Sequence, residues 1–363
     1  MNKKLLFLPF LLLLLACGST KNTQNQVKLS FLDEYVVPAD TRFQDTPVGG
    51  LSGIDYENGQ YYLVCDQSSN PRFYTAEIKL NKSSIDSIIF KDMVKIDRSK
   101  GFPEKNVLDL EAIRFDPAEN ELVITSEGSI ENNVNPGVYE ITPEGEFISK
   151  FELPDYFMVN GEQKPRNNGV FEGLSPGIEH KGYWVSTELP LEKDGPNPKF
   201  YPTNSPARIT YFDSESLQPT KQFAVKLGRI HKFPINYFAV NGITDVLEYK
   251  KDHFLVLERA YSAGYGSHGN TVRIYDVDAS AATNILNSEN LRKADYEPAK
   301  KRLVFDFKSV KKELTDKIID NIEGMTFGPK LPNGKSTLVL VSDNNFNSYG
   351  EQLNQFILLQ IDL

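Results

Sequence analysis

The sequence predicts an all-β fold, a β-propeller of five four-stranded blades. Three observations carry that expectation. First, a phrase built from a short turn, a strand, a second turn and a second strand ending on a carboxylate recurs five times, at intervals of roughly 60 to 80 residues. Its copies read GLSGIDYENGQYYLVCDQ from Gly50, DLEAIRFDPAENELVITSEG from Asp109, FEGLSPGIEHKGYWVSTEL from Phe171, GITDVLEYKKDHFLVLERA from Gly242 and IEGMTFGPKLPNGKSTLVLVSDN from Ile322. Second, further strand-like segments follow each copy, as the blades of a propeller require. Third, the phrase runs from end to end with nothing resembling an interdomain linker, which favours one large domain over two average ones.

The elements follow in order. Residues Val27 to Val37, VKLSFLDEYVV, precede the first copy; pairing them with the last blade closes the ring and removes its open edges. Each phrase then supplies two strands. Glu57-Asn58-Gly59 and Pro332-Asn333-Gly334 mark hairpin turns, where Asn-Gly readily adopts positive φ. Third strands are expected at Arg72 to Lys79, Gly137 to Thr142, Ala207 to Phe212, Thr271 to Val277 and Gln355 to Asp362. Fourth strands are expected at Ser87 to Ile96, Glu146 to Leu153, Lys221 to Leu227 and Arg302 to Phe307. Long connections at Glu188 to Pro206, Tyr261 to Asn270 and Ser342 to Asn354 emerge where the carboxylate-ended strands finish, the face on which binding loops are usually displayed. Phe157 to Val170 and Ala279 to Lys301 leave from other junctions. The second of these has helical composition, and the long connections leave room for a sixth, irregular blade.

The N-terminus addresses the compartment. Met1 to Lys4 is basic, Leu5 to Leu15 is apolar but too short to span a bilayer, and Leu14-Leu15-Ala16-Cys17 has the small residue before cysteine of a bacterial lipoprotein signal. Residues 1–17 are therefore read as a signal peptide with an acylated Cys17, 18–26 as a polar tether, and 27–363 as the propeller. This places the protein at a bacterial cell envelope, attached to the membrane through its N-terminal lipid. With the Cys17 thiol taken up by acylation, Cys65 stands alone, so no intramolecular disulfide is available. A formal net charge of -9 excludes a nucleic-acid surface and suits cation binding.

Aligned copies put Ser52, Glu111, Glu172, Thr244 and Glu323 at one position near the start of the first strand. Asp66, Glu127, Glu188, Glu258 and Asp343 share another at the end of the second. If both face the channel, up to eight carboxylates meet near one mouth. Clustered carboxylates stay ionised when a cation compensates them. Calcium, which takes six to eight oxygens in flexible geometry, suits such a set; the four histidines and the absence of a paired-Cys or His-x-x-x-His pattern do not suit zinc. The metal candidates are Glu111, Glu127, Glu172, Glu188, Glu323 and Asp343, with Glu172, Glu111 and Glu323 also the catalytic candidates. Arg72, Arg208 and Arg273 recur at the start of third strands, and Arg259 follows Glu258. These arginines, with Asn344 and His268, are the candidates for binding a small anionic substrate. The same residues also admit structural roles, the glutamates as acceptors for turn amides and the arginines as inter-blade ion pairs. Ser175 in EGLSPG lacks the Gly-x-Ser-x-Gly elbow, and no Gly-rich phosphate loop occurs.

DLEAIRFDP with LVITSEG, NNGVFEGLSP with YWVSTEL, ITDVLEY with FLVLERAY, and NIEGMTFGP with LVLVSDNNF together resemble the phytase-like family, described as having esterase-like activity. The resemblance covers about Leu51 to the C-terminus. It implies a secreted β-propeller and a phosphoester or ester hydrolase. A non-catalytic ligand- or protein-binding propeller and a calcium-dependent lactonase are the alternative readings of the same scaffold.

Overall fold

The computed structural model describes residues 26–103, 107–348 and 350–363. The signal segment with Cys17, and all of the tether but Gln26, lie outside the described residues. Strand β1 (Lys28–Val37) leads through a small hairpin, β2 (Arg42–Phe43) and β3 (Thr46–Pro47), into the first blade. That blade holds β4 (Leu51–Glu57), β5 (Gln60–Cys65), β6 (Arg72–Asn81) and β7 (Ser84–Lys95), paired in that order. Asn58 and Gly59, with φ of 48° and 94°, reverse the chain between β4 and β5, the positive-φ pair that strand twist favours.

The order repeats in the second blade, β8 (Leu110–Asp116), β9 (Glu121–Ser126), β10 (Gly137–Ile141) and β11 (Phe147–Lys150). The third holds β12 (Phe171–Pro176), β13 (Gly182–Thr187), β14 (Pro206–Asp213) and β15 (Gln218–Lys226). The fourth holds β16 (Ala239–Lys250), β17 (His253–Ser262), β18 (Asn270–Asp278) and β19 (Lys300–Asp306). The fifth holds β20 (Asn321–Gly328), β21 (Ser336–Asp343) and β22 (Asn354–Asp362), and β1 supplies its outer strand, Lys28 opposite Asp362 and Val37 opposite Asn354. The expected ring closure is the one observed. Among the described residues there are five blades and no sixth.

Packing follows from strand periodicity. Successive side chains point to opposite faces, and both faces of a blade meet a neighbour, so the middle strands read as continuous apolar runs. Leu63 joins the cluster shared with the fifth blade while Val64 joins the one shared with the second. Leu255 and Val256 divide in the same way between the fifth and third blades. Cys65 is fully buried in the first of these clusters, its thiol donating to the Gly49 carbonyl.

The stretch from Ala279 to Lys301 is not helical. It forms a chain of turns that covers the exposed edge of β15: the amides of Ile285 and Ala299 donate to the carbonyls of Gln222 and Ala224, and Asn284 Oδ1 accepts from the Gln222 amide. Pairing with a free strand edge outweighs weak helix propensity, and the Asn and Ser residues favour local turns.

Candidate active site

The five first strands, β4, β8, β12, β16 and β20, touch one another in ring order and line the axis. Each carries a register shift near its start, at Leu51/Gly53, Leu110/Ile113, Phe171/Leu174, Ile243/Asp245 and Ile322/Gly324. The residues displaced by these bulges include Ser52, Glu111, Glu172, Thr244 and Glu323, the aligned position of the sequence. A bulge leaves a residue outside the ladder and re-aims its side chain. Hydroxyls of the second strands satisfy amides the ladder loses: Thr125 Oγ1 accepts from Ala112 N at 3.0 Å and Ser186 Oγ from Gly173 N at 3.2 Å.

Just below lie Gly53, Ala112, Gly173, Asp245 and Gly324. The blades approach so closely here that a Cβ on Gly53 would stand 2.7 Å from the Glu111 carbonyl oxygen, and one on Gly324 2.9 Å from Gly53 Cα. Only Asp245 brings a long side chain, and Arg114 reaches it from the second blade. Arg114 Nη2 lies 3.2 and 3.1 Å from the two Asp245 oxygens, and the guanidinium also donates to the carbonyls of Ile54 and Met325. Asp245 accepts in turn from the amides of Leu174, Val246 and Met325. This buried pair ties all five blades together at the axis. The sequence reading did not identify it, although the odd Asp245 among small residues was its signal.

Near the ends of the second strands stand Asp66, Glu127, Glu188, Arg259 and Asp343. The fourth member corrects the alignment. Val256 pairs with Val246 as Val185 pairs with Leu174 and Leu340 with Met325, so the residue equivalent to Glu188 and Asp343 is Arg259. Glu258 falls one residue earlier and on the opposite face. There it accepts from Lys301, the Gly228 amide and Asn241.

Glu127, Glu188 and Arg259 each lean on the next blade. Glu127 Oε1 accepts from Val170 N at 2.7 Å. Glu188 packs where a Cβ on Gly242 would come within 2.4 Å of its Cγ. Arg259 Nη2 lies 3.0 Å from Glu323 Oε1 and 3.7 Å from Glu188 Oε1. Asn321 Nδ2 bridges Glu323 and Asp343 at 2.8 and 3.3 Å. One residue absent from the sequence candidates joins the set. Asp109, two before Glu111, brings a carboxylate oxygen within 4.8 Å of oxygens of Glu111 and Glu127, a grouping able to hold a metal ion.

Electrostatics confirm the crowding. Burial, then the negative charges of Glu172, Asp109, Glu127 and Glu323, hold the Glu111 carboxyl well above its ordinary range. Burial and Glu127, Glu188 and Glu323 do the same to Glu172, against the opposing pull of Arg259. Burial raises Glu127 to about 8, with Glu188 adding to it. Glu323 rises to about 8 through burial, partly offset by Arg259. Asp66 rises to about 9 through burial and the charge of Asp343. Glu188 reaches about 7, and Asp109 and Asp343 about 6, each chiefly by burial. Glu188 Oε2 is buried with no hydrogen-bond partner, although a buried carboxylate oxygen ordinarily has one.

The other anion-binding candidates serve the scaffold. Arg208 is fully buried in a fork with Asp194 at 2.7 and 2.9 Å, and its remaining donors go to Gln222 and the Ser288 carbonyl. Arg72 donates to Tyr74, Gln67 and the carbonyls of Asn70 and Pro47. Arg273 Nε pairs with Asp306 at 2.8 Å. Asn344 Oδ1 accepts from the amides of Gly50 and Phe346, fixing the turn after β21. His268 is exposed on the 3₁₀ turn Gly266–His268. Of the predicted substrate contacts, the structure brings Arg259 alone into the acidic bowl.

A family model described as "Phytase-like: Esterase-like activity of phytase" matches residues 46–346. No match is found among the curated proteins. Solved structures similar in fold include a thermostable family-43 glycoside hydrolase (TM-score 0.47, 9% identity, covering 87% of this chain and 89% of that one). Others are the glutaminyl cyclase of Myxococcus xanthus (TM-score 0.41, 8% identity, covering 93% and 97%) and the Dos1 propeller (TM-score 0.37, 9% identity, covering 87% and 69%).

Proposed function

The chain belongs to the phytase-like family, and from that premise we propose a hydrolase of small anionic phosphoesters or related esters, working with a divalent cation held in the acidic bowl. The observation that supports this reading is the imbalance of charge. Asp66, Asp109, Glu111, Glu127, Glu172, Glu188, Glu323 and Asp343 surround one guanidinium, that of Arg259, and Glu188 Oε2 is buried without a donor. An all-oxygen donor set of this kind fits a hard cation, with calcium the natural choice. Asp109, Glu111 and Glu127 would hold it, with Glu172, Glu188, Glu323 and Asp343 as further oxygen donors in the same bowl.

Once bound, the cation would polarise a phosphoryl or acyl oxygen and acidify a coordinated water. The protein's own groups do the rest. Arg259, held between Glu188 and Glu323, presents a fixed cation to an anionic substrate oxygen. Glu172, whose proton affinity is raised by burial and by its acidic neighbours, takes the proton of the attacking water. Glu111 and Glu323 flank it. The water oxygen adds to phosphorus or the acyl carbon, the bond to the ester oxygen breaks, and that oxygen leaves with the proton that Glu172 took from the water.

The reading includes attachment to a bacterial cell envelope through a lipid on Cys17, supported by the order of basic, apolar and small residues from Met1. Mass spectrometry of the mature N-terminus is expected to find an acylated Cys17; an unmodified N-terminus elsewhere contradicts it.

Activity is tested by assaying the mature domain on phosphate monoesters, phosphate diesters and carboxylic esters, with calcium and with chelator. Hydrolysis lost on chelation and lowered at least a hundredfold in Glu172→Gln is expected. Hydrolysis indifferent to both overturns the assignment.

A further inference from the structure

We propose that the loops beside the Glu188 and Arg259 wall of the bowl form a subsite for an apolar group, so that the substrate is an amphiphilic ester whose acyl, alkyl or aryl part rests on an aromatic shelf. The proposal rests on the hydrolase reading for the reacting end of that ligand. Large apolar side chains exposed elsewhere among the described residues are scattered singly, at Ile148, Ile178, Leu303 and Leu363. Phe200, Tyr201, Phe233, Ile235, Tyr237, Phe238 and Tyr265 are instead gathered on three neighbouring loops, with Tyr237 94% exposed. Contiguous exposed apolar surface on a soluble protein marks a binding site far more often than single residues do.

The shelf is a built surface. Phe200 stacks edge-on to Tyr201 with centroids 5.3 Å apart and lies 5.3 Å from Phe233. Tyr265 donates its hydroxyl to the Phe233 carbonyl at 2.8 Å. The Ile235 amide donates to the Ala263 carbonyl, and the Ala263 amide to that of Phe238. Ile235 also fills the space over Gly264, where an added Cβ would come within 2.5 Å of Ile235 Cβ. An apolar surface held open in this way is preorganised for a ligand.

Its position points to the occupant. The loop carrying Phe200 begins directly after Glu188. The loop carrying Phe233 to Phe238 runs into β16, where Gly242 seats the Glu188 side chain. Tyr261, whose ring lies 6.3 Å from Phe238, stands two residues beyond Arg259 on β17, about 7 Å along the strand. Arg229, His231 and Lys232 immediately precede Phe233 in the chain, in a stretch with no acid between Gly228 and Gly242, in a chain of net charge -9. A polar or anionic head at Arg259 and an apolar tail on the shelf fit one continuous surface. A membrane fits less well: β1 begins at Lys28, opposite Asp362, at the end of the fifth blade remote from Asp343.

The probe is a homologous series of alkyl esters of the group the enzyme hydrolyses, methyl to octyl, below their micellar concentration. Binding of the non-hydrolysable octylphosphonate is measured in parallel by calorimetry. Wild-type protein is expected to favour octyl over methyl by at least tenfold in kcat/KM; full burial of a methylene is equivalent to about fourfold. The triple variant Phe233→Ser, Tyr237→Ser, Phe238→Ser is expected to remove most of that ratio and weaken octylphosphonate binding at least tenfold, with an unchanged melting temperature. Ile178→Ser with Leu303→Ser is expected to leave both at wild-type values. Octylphosphonate bound through the shelf by a protein that hydrolyses no ester supports the subsite and overturns the hydrolase reading. Esters hydrolysed without chain-length preference, and unchanged in the triple variant, overturn the subsite and leave the hydrolase. A dimer, or binding to phosphatidylglycerol vesicles, that the triple variant abolishes while the ester ratio stays unchanged also overturns it.

Discussion

Arg259 is the residue on which the bowl's charge balance turns. Its guanidinium contacts Glu323 and Glu188 and lowers the proton affinity of Glu172. Arg259→Met therefore leaves the acids with less compensation, and tighter calcium binding by calorimetry is expected together with at least a tenfold fall in kcat/KM on anionic esters. Glu111→Gln removes one oxygen donor and is expected to weaken calcium at least tenfold. Glu258→Gln is expected to leave calcium affinity unchanged, because Glu258 faces Lys301 on the other side of its strand. That distinction shows where the sequence was silent. Glu258 and Arg259 are adjacent, and a period of two means a one-residue slip exchanges an acid inside the bowl for one outside it. Only the pairing of Val256 with Val246 settles the register. Asp109 carries no signal in the repeat: the matching positions of the other copies hold Gly50, Val170, Gly242 and Asn321. The turn glutamates were legible because their position recurs in three copies.

At the scale of the element, the repeated bulge is what converts strand into site. Its amides depend on buried hydroxyls, and Thr125→Val replaces one acceptor by a methyl of similar shape. An unsatisfied buried amide costs about 1–3 kcal/mol, so urea unfolding of Thr125→Val is expected to show a loss in that range, with the Ala112 amide the group left bare. An unchanged midpoint would mean that water or the backbone takes over. Strand positions were readable because apolar runs such as YYLVC and LVLV are buried on both faces and Asn-Gly turns separate them. The stretch from Ala279 to Lys301 has helical composition yet forms turns because its partner is distant in sequence: the edge of β15 supplies the hydrogen bonds that decide its conformation.

Across the whole molecule, two devices hold the ring: β1 completing the last blade, and Arg114 with Asp245 at the axis. Both partners of that ion pair are buried, and removing one partner of a buried pair typically costs about 3–5 kcal/mol. Asp245→Asn is expected to lose much of that stability in urea unfolding, and Arg114→Met with Asp245→Leu to regain part of it. The acids above them impose a cost of the opposite kind. Their folded pKa values lie above those of the unfolded chain, so the folded state holds more protons, and stability falls as pH rises from the ordinary carboxylate range through about 8, where Glu127 and Glu323 titrate. A bound cation replaces those protons and reverses the loss; at a hundred times its dissociation constant it adds about 2.7 kcal/mol. Melting of the chelator-treated mature domain from pH 5 to 9, with and without calcium, therefore tests the central claim most directly. The expected result is a melting temperature that falls between pH 5 and 8 without calcium and is restored by calcium at pH 8 but scarcely moved at pH 5; a profile flat in pH and indifferent to calcium contradicts the account.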